Sequence, residues 1–257
     1  MFFWENSETR YPLAAGSELW LPILHLVNKT GRDHFASLEF VENNATESFF
    51  RDAQVLKDWI GFLNKKYRDN LDKHKNRIIL VGMKSCGKLS VGKILSSKLN
   101  IDFVDQDAEL EKRHFEKMQE SLTYREIYKK YGDAYFRDLE TETLDIISSK
   151  LLGREFVLAT GGATPIVTKN QSTLKKMGLV VYLDMDKDIL LDRMKTNGVP
   201  AILPNPDRQE MSLSKLVEER IPVYRNIADI IMQCGMETVE DIASSLAIRV
   251  GSQNYVD

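Results

Sequence analysis

The sequence has few cysteines and histidines and lacks a long apolar run. Only Cys86 and Cys234 are cysteines, which is too few for a disulfide framework and is typical of a reducing, intracellular compartment. The four histidines are scattered without the spacing of metal ligands, which argues against zinc chemistry. The sequence has no apolar run long enough to span a bilayer, and its first residues lack the basic and apolar regions of a secretion signal. We therefore expect a cytoplasmic protein.

The chain also lacks a strong excess of either charge. The formal net charge is −3 over 257 residues, which gives no reason to expect a nucleic acid or an anionic membrane as a partner. With 43% hydrophobic and 28% charged residues, the composition is that of a globular protein. The length suits one large domain, or one domain of ordinary size with an appendage.

The N-terminal part of the chain differs in pattern from the rest. Its apolar run Leu19–Val27 predicts a buried strand, although Pro22 places that strand at a sheet edge or splits it. Farther on, apolar side chains recur at helical spacing from Glu47 to Tyr67, which predicts an amphipathic helix. The apolar face of this helix either packs on its own domain or docks a partner. We therefore predict an N-terminal α+β segment whose role the sequence does not identify.

A charged segment, Lys65–Arg77, divides the chain into two predicted domains, residues 1–75 and residues 76–257. In the second domain predicted strands alternate with predicted helices, which favours a mainly parallel sheet flanked by helices, a three-layer α/β/α fold. The predicted strands are Ile78–Val81, Ile101–Val104, Phe156–Thr160, Leu179–Leu183 and Ile230–Gln233. The predicted helices are Ser90–Leu99, Ala108–Lys117, Tyr124–Tyr131, Ala134–Leu152, Lys169–Met177, Lys187–Lys195, Leu213–Asn226 and Thr238–Val250. Ligands of such sheets bind beyond the carboxyl ends of the strands.

A glycine-bounded loop, Gly82–Ser90, follows the first predicted strand and opens a helix. Backbone N–H groups in such a loop and at the helix N-terminus bind phosphate, and Lys88 adds a point charge. The other candidates for nucleotide contacts in this loop are Lys84, Ser85, Cys86, Gly87, Leu89 and Ser90. The full pattern is G-x-x-x-x-G-K-[ST], and the chain departs from it at Leu89, where a hydroxyl would ligate Mg²⁺. Ser90 is a weak substitute, because a shift of one residue turns a side chain by about 100° around a helix.

Two aspartates follow the second predicted strand, in Asp105-Gln106-Asp107. Alternate residues of an extended chain point the same way, so both carboxylates are expected to face one cleft. One carboxylate would hold Mg²⁺ or accept a hydroxyl proton, and the other would hydrogen-bond a substrate hydroxyl. The alternative is an aspartate that caps the next helix.

Further candidates for binding an anionic substrate lie later in the chain. Arg137 and Glu140 are adjacent on a predicted helix, which suits recognition of a carboxylate, although the pair taken by itself favours a solvated surface ion pair. Gly161 and Gly162 follow a strand, where they allow a ligand to approach closely or form a tight turn. Arg220 precedes the last predicted strand, where it would bind an anion or the carbonyl groups of a helix end.

Arg193 is a further candidate for nucleotide binding. It precedes a proline-containing loop, residues 195–211, that is placed to act as a lid over the cleft.

In this order, the motifs resemble those of the shikimate kinases, from about Asn76 to Val250. The resemblance implies a P-loop, nucleoside-monophosphate-kinase-like fold that uses ATP and Mg²⁺ to phosphorylate the 3-hydroxyl of shikimate, a step of aromatic amino acid biosynthesis. It implies that Lys88 and Asp105 are catalytic, with Asp105 near Mg²⁺. The residues that it implies for binding shikimate are Asp107, Arg137, Gly161, Gly162 and Arg220.

The chain departs from the family pattern at three positions. Leu89 replaces the Mg²⁺-ligating hydroxyl, Ala163 replaces a third glycine, and Val199 replaces an arginine of the lid. Loss of a charge-stabilising arginine can cost on the order of 10³-fold in turnover, whereas Mg²⁺ also takes water and phosphate oxygens as ligands. Two alternatives to the shikimate kinase therefore stay open: a catalytically impaired binding or regulatory module, and a related kinase for another polyol.

Overall fold

The computed structural model describes residues 11–30, 36, 43, 45–197 and 209–251. The chain divides into two compact units, Met1–Asp72 and Lys73–Asp257. The predicted lid, including Val199 and most of the loop around it, lies outside the described residues. None of the described helices is long and apolar enough to cross a membrane.

The described part of the first unit contains two α-helices, α1 (Ser17–Lys29) and α2 (Thr46–Lys73). The strand predicted at Leu19–Val27 is wrong, because these residues lie within α1 and none of the side chains in α1 is buried. The apolar positions Leu19, Ile23 and Leu26 also fit the helical period, and a short apolar run cannot be assigned from its hydrophobicity alone.

Helix α2 confirms the amphipathic helix that was predicted from Glu47 to Tyr67 and extends it to Lys73. Most of the charged segment that was interpreted as a boundary therefore belongs to the last turns of this helix. The side chain of Leu63 is buried, whereas Phe49 and Phe62 are exposed.

The second unit contains a parallel sheet of five strands in the order β2-β3-β1-β4-β5. The strands are β1 (Arg77–Val81), β2 (Asp102–Asp105), β3 (Phe156–Ala159), β4 (Leu179–Met185) and β5 (Ile230–Cys234). Its helices are α3 (Lys88–Leu99), α4 (Gln106–Met118), α5 (Tyr124–Lys150), α6 (Thr168–Met177), α7 (Lys187–Asn197), α8 (Gln209–Ile227) and α9 (Val239–Gly251). This arrangement confirms the predicted α/β/α fold.

The three central strands are buried almost throughout, and the sequence explains why. The segments Arg77–Val81, Phe156–Ala159 and Leu179–Met185 are near-continuous apolar runs, as expected of parallel strands covered on both faces. The chain leaves β1 towards the β2 edge and leaves β3 towards the opposite edge. The carboxyl ends of these adjacent strands therefore form a topological switch point, where ligands bind in open α/β sheets.

The two helices predicted at Tyr124–Tyr131 and Ala134–Leu152 form one element, α5, with a break between them. Gly132 has φ 80° and ψ 178°, a conformation that glycine adopts readily because it has no Cβ. The break lies one turn before Phe136 and Arg137, so it sets the direction in which the second half of α5 approaches the switch point.

Candidate active site

A cavity of about 650 Å³ opens at the carboxyl ends of the strands. Almost all of the predicted site residues line it, although they come from separate parts of the chain. Those in the lining are Lys84, Ser85, Gly87, Lys88, Leu89, Ser90, Asp105, Asp107, Arg137, Gly161, Gly162, Arg193 and Arg220. Gly82 and Cys86 do not line the cavity and pack behind the loop instead.

The loop between β1 and α3 has the backbone that a phosphate cradle requires. Gly82, Ser85 and Gly87 all have positive φ, and α3 begins at Lys88 directly after Gly87. Nζ of Lys88 donates hydrogen bonds to the carbonyl oxygens of Gly82 (2.9 Å) and Met83 (2.8 Å). The lysine therefore lies along the inside of the loop, at the N-terminus of a helix, where anions are stabilised.

Packing explains why Gly82 and Cys86 occupy their positions. A Cβ atom on Gly82 would lie 2.9 Å from Sγ of Cys86 and 3.1 Å from the carbonyl oxygen of Leu183. The thiol of Cys86 is itself 1% exposed and lies 3.8 Å from Nζ of Lys88. Cys86 is thus a small buried residue that fills the back of the cradle.

The residues near the cradle fit Mg²⁺ only as a cation held largely by phosphate and water. Leu89 is 43% exposed and lines the cavity, as do Ser90 and Asp105. Among the described residues no cluster of three or more His, Cys, Asp or Glu side chains could hold a metal ion. One carboxylate with a neighbouring hydroxyl suits Mg²⁺, because this ion keeps several waters and is usually bound through one or two carboxylates together with substrate phosphates.

Both aspartates of Asp105-Gln106-Asp107 reach the cavity, but not for the predicted reason. Helix α4 begins at Gln106, so Asp107 lies in its first turn and not on an extended strand. Oδ1 of Asp105 accepts a hydrogen bond from the backbone N–H of Asp107 (3.1 Å). Asp105 is therefore a helix cap and a cavity residue at once.

The environment of Asp107 disfavours its ionised form. Burial, followed by the nearby charge of Asp105, raises the pKa of Asp107 to about 7, with Lys88 opposing this shift and Glu140 and Glu111 adding to it. A carboxyl group with this pKa exchanges protons near neutral pH, and strongly shifted pKa values of this kind cluster at functional sites.

The predicted Arg137–Glu140 pair lies within the cavity wall and is not a solvated surface pair. Nη1 of Arg137 donates to Oε2 of Glu140 (2.8 Å), and Nε donates to Oδ1 of Asp133 (3.2 Å). The Glu140 side chain is buried, and Arg220, which is 8% exposed, lines the same cavity. Two guanidinium groups in one partly enclosed site favour an anionic ligand.

Gly161 is held by groups that the sequence analysis did not identify. Its N–H donates to Oε1 of Gln106 (3.2 Å), and Oγ1 of Thr164 lies 3.0 Å from the same oxygen and 2.8 Å from Oε1 of Glu140. Gln106 also donates from Nε2 to the carbonyl oxygen of Glu140 (3.3 Å). This buried network joins α4, α5 and the loop after β3.

Ala163, the residue in place of the third glycine, has φ −100°. Because its φ is not positive, the Cβ of Ala163 causes no backbone strain.

Some cavity residues were missed although the sequence contained a signal for them. Glu111 lies one helical turn after Asp107 on α4, and Tyr124 and Tyr128 have the same spacing on α5. The backbone N–H of Tyr124 donates to Oε1 of Glu111 (2.9 Å), which ties the start of α5 to α4. A check one turn away from Asp107 would have found Glu111, and Tyr124 and Tyr128 share one face of a predicted helix, although neither lies one turn from a candidate.

Comparison with known proteins assigns this geometry to a family. A model of shikimate kinases matches residues 84–250 of the chain. The chain belongs to the shikimate kinase family. A shikimate kinase of Alkaliphilus oremlandii is 33% identical over 174 residues, which cover 67% of this chain and 98% of that one. A shikimate kinase of a Sulfurihydrogenibium species is 33% identical over 173 residues, which cover 67% of this chain and 96% of that one.

Solved structures of shikimate kinases share the fold. A shikimate kinase from Acinetobacter baumannii in complex with shikimate is 30% identical, with a TM-score of 0.61 over 70% of this chain and 94% of that one. A shikimate kinase from Aquifex aeolicus is 31% identical, with a TM-score of 0.54 over 68% of this chain and 96% of that one. The predicted family and the predicted P-loop-kinase-like fold are both confirmed, and the two alternatives to a shikimate kinase are not favoured.

Proposed function

We propose that the cavity binds ATP, Mg²⁺ and shikimate, and that the chain transfers the γ-phosphoryl group of ATP to the 3-hydroxyl of shikimate. The observation that carries this proposal is the position of Lys88 in the same cavity as Asp107, Arg137 and Arg220. A phosphate-binding lysine and a binding site for a small carboxylic acid thus share one enclosed space. Phosphoryl transfer needs little more from a protein than this positioning and charge stabilisation.

The nucleotide side of the site consists of the Gly82–Ser90 loop, with Arg193 also in the cavity wall. Lys88 would exchange its hydrogen bonds to the Gly82 and Met83 carbonyl oxygens for oxygens of the transferred phosphate. When bound, Mg²⁺ would supply positive charge that offsets the negative charge of the phosphates. Asp105 would hold it, with Ser90 a weaker candidate, and Leu89 contributes no ligand.

The acceptor side consists of Asp107, Arg137, the Gly161-Gly162 backbone and Arg220. The two guanidinium groups would bind the carboxylate of shikimate, and Glu140 and Asp133 fix the orientation of Arg137. Asp107 would accept hydrogen bonds from hydroxyl groups of the ring, while Asp105, where it does not hold Mg²⁺, would take up the hydroxyl proton. The glycines allow the ring to lie directly against the backbone.

The test is a measurement of ADP release that depends on both Mg²⁺ and shikimate. We expect wild-type protein to release ADP and Lys88→Ala to abolish the release, because the lysine places a positive charge at the phosphate. Lys93→Ala is the matched control, since Lys93 lies on the same helix with its side chain exposed. Absence of ADP release above background at millimolar substrates would falsify the proposal.

We further propose that the reaction takes place in the cytoplasm. Cys86 and Cys234 are both free and buried, which suits a reducing compartment.

A further inference from the structure

The side chain of Tyr224 lies where α8, the phosphate cradle and the loop after β3 meet. That loop contains Gly161 and Gly162 and is called the acceptor loop here. Its ring is fully buried and stacks on Tyr182 of β4, with 5.3 Å between the ring centroids. Its hydroxyl donates a hydrogen bond to the carbonyl oxygen of Gly162 and lies 3.4 Å from Sδ of Met83 in the cradle loop. The ring therefore packs in the core, whereas the hydroxyl contacts two loops of the candidate active site.

Arg220 lies one helical turn before Tyr224 on α8, and its charge acts on the same phenol. Burial raises the pKa of Tyr224 well above its ordinary value, although the Arg220 guanidinium opposes this shift. The phenol is thus protonated at neutral pH and donates to the carbonyl oxygen of Gly162. The hydroxyl therefore holds the Gly162 backbone close to the charge of Arg220, a second group of the proposed shikimate site.

Gly162 is held between this hydroxyl and the cradle. A Cβ atom on Gly162 would lie 3.3 Å from the backbone N of Lys84 and 3.7 Å from the carbonyl oxygen of Gly82. The preceding glycine is held from the opposite side, by the bond from its N–H to Oε1 of Gln106. The Gly161-Gly162 segment is therefore fixed at both ends, by α4 at one end and by α8 at the other.

We propose that the hydroxyl of Tyr224 is a positioning group for the acceptor. It sets the place of the Gly162 backbone relative to the phosphate cradle and to the Arg220 guanidinium, and so controls the affinity for shikimate. This inference rests on the proposed function and adds to it a residue that does not itself line the cavity. A purely structural role would need only the aromatic ring.

The test is Tyr224→Phe in the full chain, which removes the hydroxyl and keeps the buried ring. Loss of one hydrogen bond to a buried carbonyl typically changes an equilibrium by roughly three- to tenfold, so we expect the KM for shikimate to rise by that factor. The KM for ATP should stay within about twofold of the wild-type value, because Lys88 and its loop remain in place. An unchanged KM for shikimate, or equal rises for both substrates, would overturn the proposal.

Tyr182→Phe is the matched control. Tyr182 is the stacked partner of Tyr224, but the charged side chain that acts most on its hydroxyl is Asp184 of β4, which lies outside the acceptor loop. We expect this variant to leave both KM values unchanged, even if its melting temperature falls as far as that of Tyr224→Phe. A rise in the shikimate KM of Tyr182→Phe equal to that of Tyr224→Phe would assign the effect to the core and not to positioning.

Calorimetric titration with shikimate separates this inference from the proposed function. If wild-type protein binds shikimate without turnover, the phosphotransferase proposal fails, but weaker binding by Tyr224→Phe still supports positioning. If wild-type protein does not bind shikimate, both proposals fail. Should Tyr224→Phe not fold, Gln106→Met releases the other end of the same segment and is expected to give the same selective rise in the shikimate KM.

Discussion

A Cβ atom on Gly161 would lie 2.8 Å from Oε1 of Glu140, closer than such atoms can approach. It would also lie 3.0 Å from Oγ1 of Thr164 and 3.1 Å from Oδ1 of Asp107. Glu140 cannot move away easily, because its other carboxylate oxygen accepts a hydrogen bond from Arg137. The glycine thus lets the acceptor loop lie against the carboxylates that orient the site.

We therefore predict that Gly161→Ala impairs shikimate binding selectively. The added methyl group must displace Glu140 or the loop, and overpacking of this kind costs about 1–3 kcal/mol. A cost in that range corresponds to a rise of roughly fivefold to a hundredfold in the KM for shikimate. Steady-state kinetics with each substrate varied in turn checks the prediction, with the KM for ATP expected to change less than twofold.

Gly61→Ala is the control for this variant. Gly61 lies within α2, and a Cβ atom there would meet no atom within 4 Å. The variant should keep wild-type kinetics, because Gly61 lies outside the cavity. Its melting temperature should rise slightly, because alanine in a helix interior is favoured over glycine by roughly 1 kcal/mol. Equal losses of ATP and shikimate affinity in Gly161→Ala would contradict the assignment of Gly161 to the acceptor side.

Much of the second unit could be predicted because its signals are local in sequence. A buried apolar run followed by Gly82–Ser90 specifies a strand, a phosphate-binding loop and a helix within a few residues of one another. The strand predicted at Leu19–Val27 was wrong, because a short apolar run does not by itself distinguish a strand from a helix.

The contacts between distant residues could not be predicted. Gln106 meets Gly161 and Thr164 across more than fifty positions of the chain, and only the sheet order brings them together. The expectation that Asp107 and Asp105 face one cleft agrees with the structure, but it assumed an extended chain through both residues. Helix α4 begins between them, at Gln106. A motif therefore identified the residues but not the groups that hold them.

We predict that Leu89→Thr increases the turnover rate and lowers the Mg²⁺ concentration needed for half-maximal activity. Leu89 is the first helical residue after Lys88, where the P-loop pattern has a metal-ligating hydroxyl. Because Leu89 is 43% exposed, the substitution should cost little stability. A Mg²⁺ titration of ADP release measures the effect.

An exposed leucine outside the cavity provides the control for Leu89→Thr. Leu152 is 83% exposed, and Leu152→Thr should leave the Mg²⁺ titration unchanged. If Leu89→Thr produces no gain, the missing ligand is not what limits the reaction.

We predict that His114 destabilises the folded protein as the pH decreases below about 6.5, against an opposite contribution from Asp107, whose raised pKa favours the folded state over the same range. This side chain is fully buried on α4, with Nδ1 2.9 Å from the hydroxyl of Tyr135, and its Nε2 has no hydrogen-bond partner within the described structure. Burial lowers the pKa of His114, aided by the charge of Lys130, although Glu120 opposes the shift. The unfolded chain therefore binds a proton that the folded chain resists, and acid favours unfolding.

Urea denaturation at several pH values from 7.5 to 5 tests this prediction. A proton bound only by the unfolded chain lowers the free energy of unfolding by about 1.4 kcal/mol per pH unit. The free energy of unfolding of His114→Gln should fall less with decreasing pH than that of wild-type protein. The remaining dependence comes from His74, whose pKa is also lowered by burial, and from Asp107, whose pKa is raised. The same slope in the variant and in wild-type protein would exclude His114 as a cause.

We finally predict that residues 73–257 fold and carry the kinase activity without the first unit. The family match, residues 84–250, and every residue of the cavity lie within this part of the chain. The starting point matters, because the backbone N–H groups of Arg77 and Phe156 donate to the carbonyl oxygens of His74 (2.9 Å) and Asn76 (2.8 Å). A chain that begins at Arg77 loses both bonds and should melt roughly 3–6 °C below one that begins at Lys73.

Thermal denaturation and shikimate-dependent ADP release, measured on the full chain and on both shortened chains, check this prediction. The chain that begins at Lys73 should show one cooperative transition and a kcat within about twofold of the full-length value, because the cradle and the acceptor site are complete in it. If this chain aggregates or is inactive while the full chain works, residues 1–72 are required for the fold or the chemistry of the second unit, and the division into independent domains is wrong.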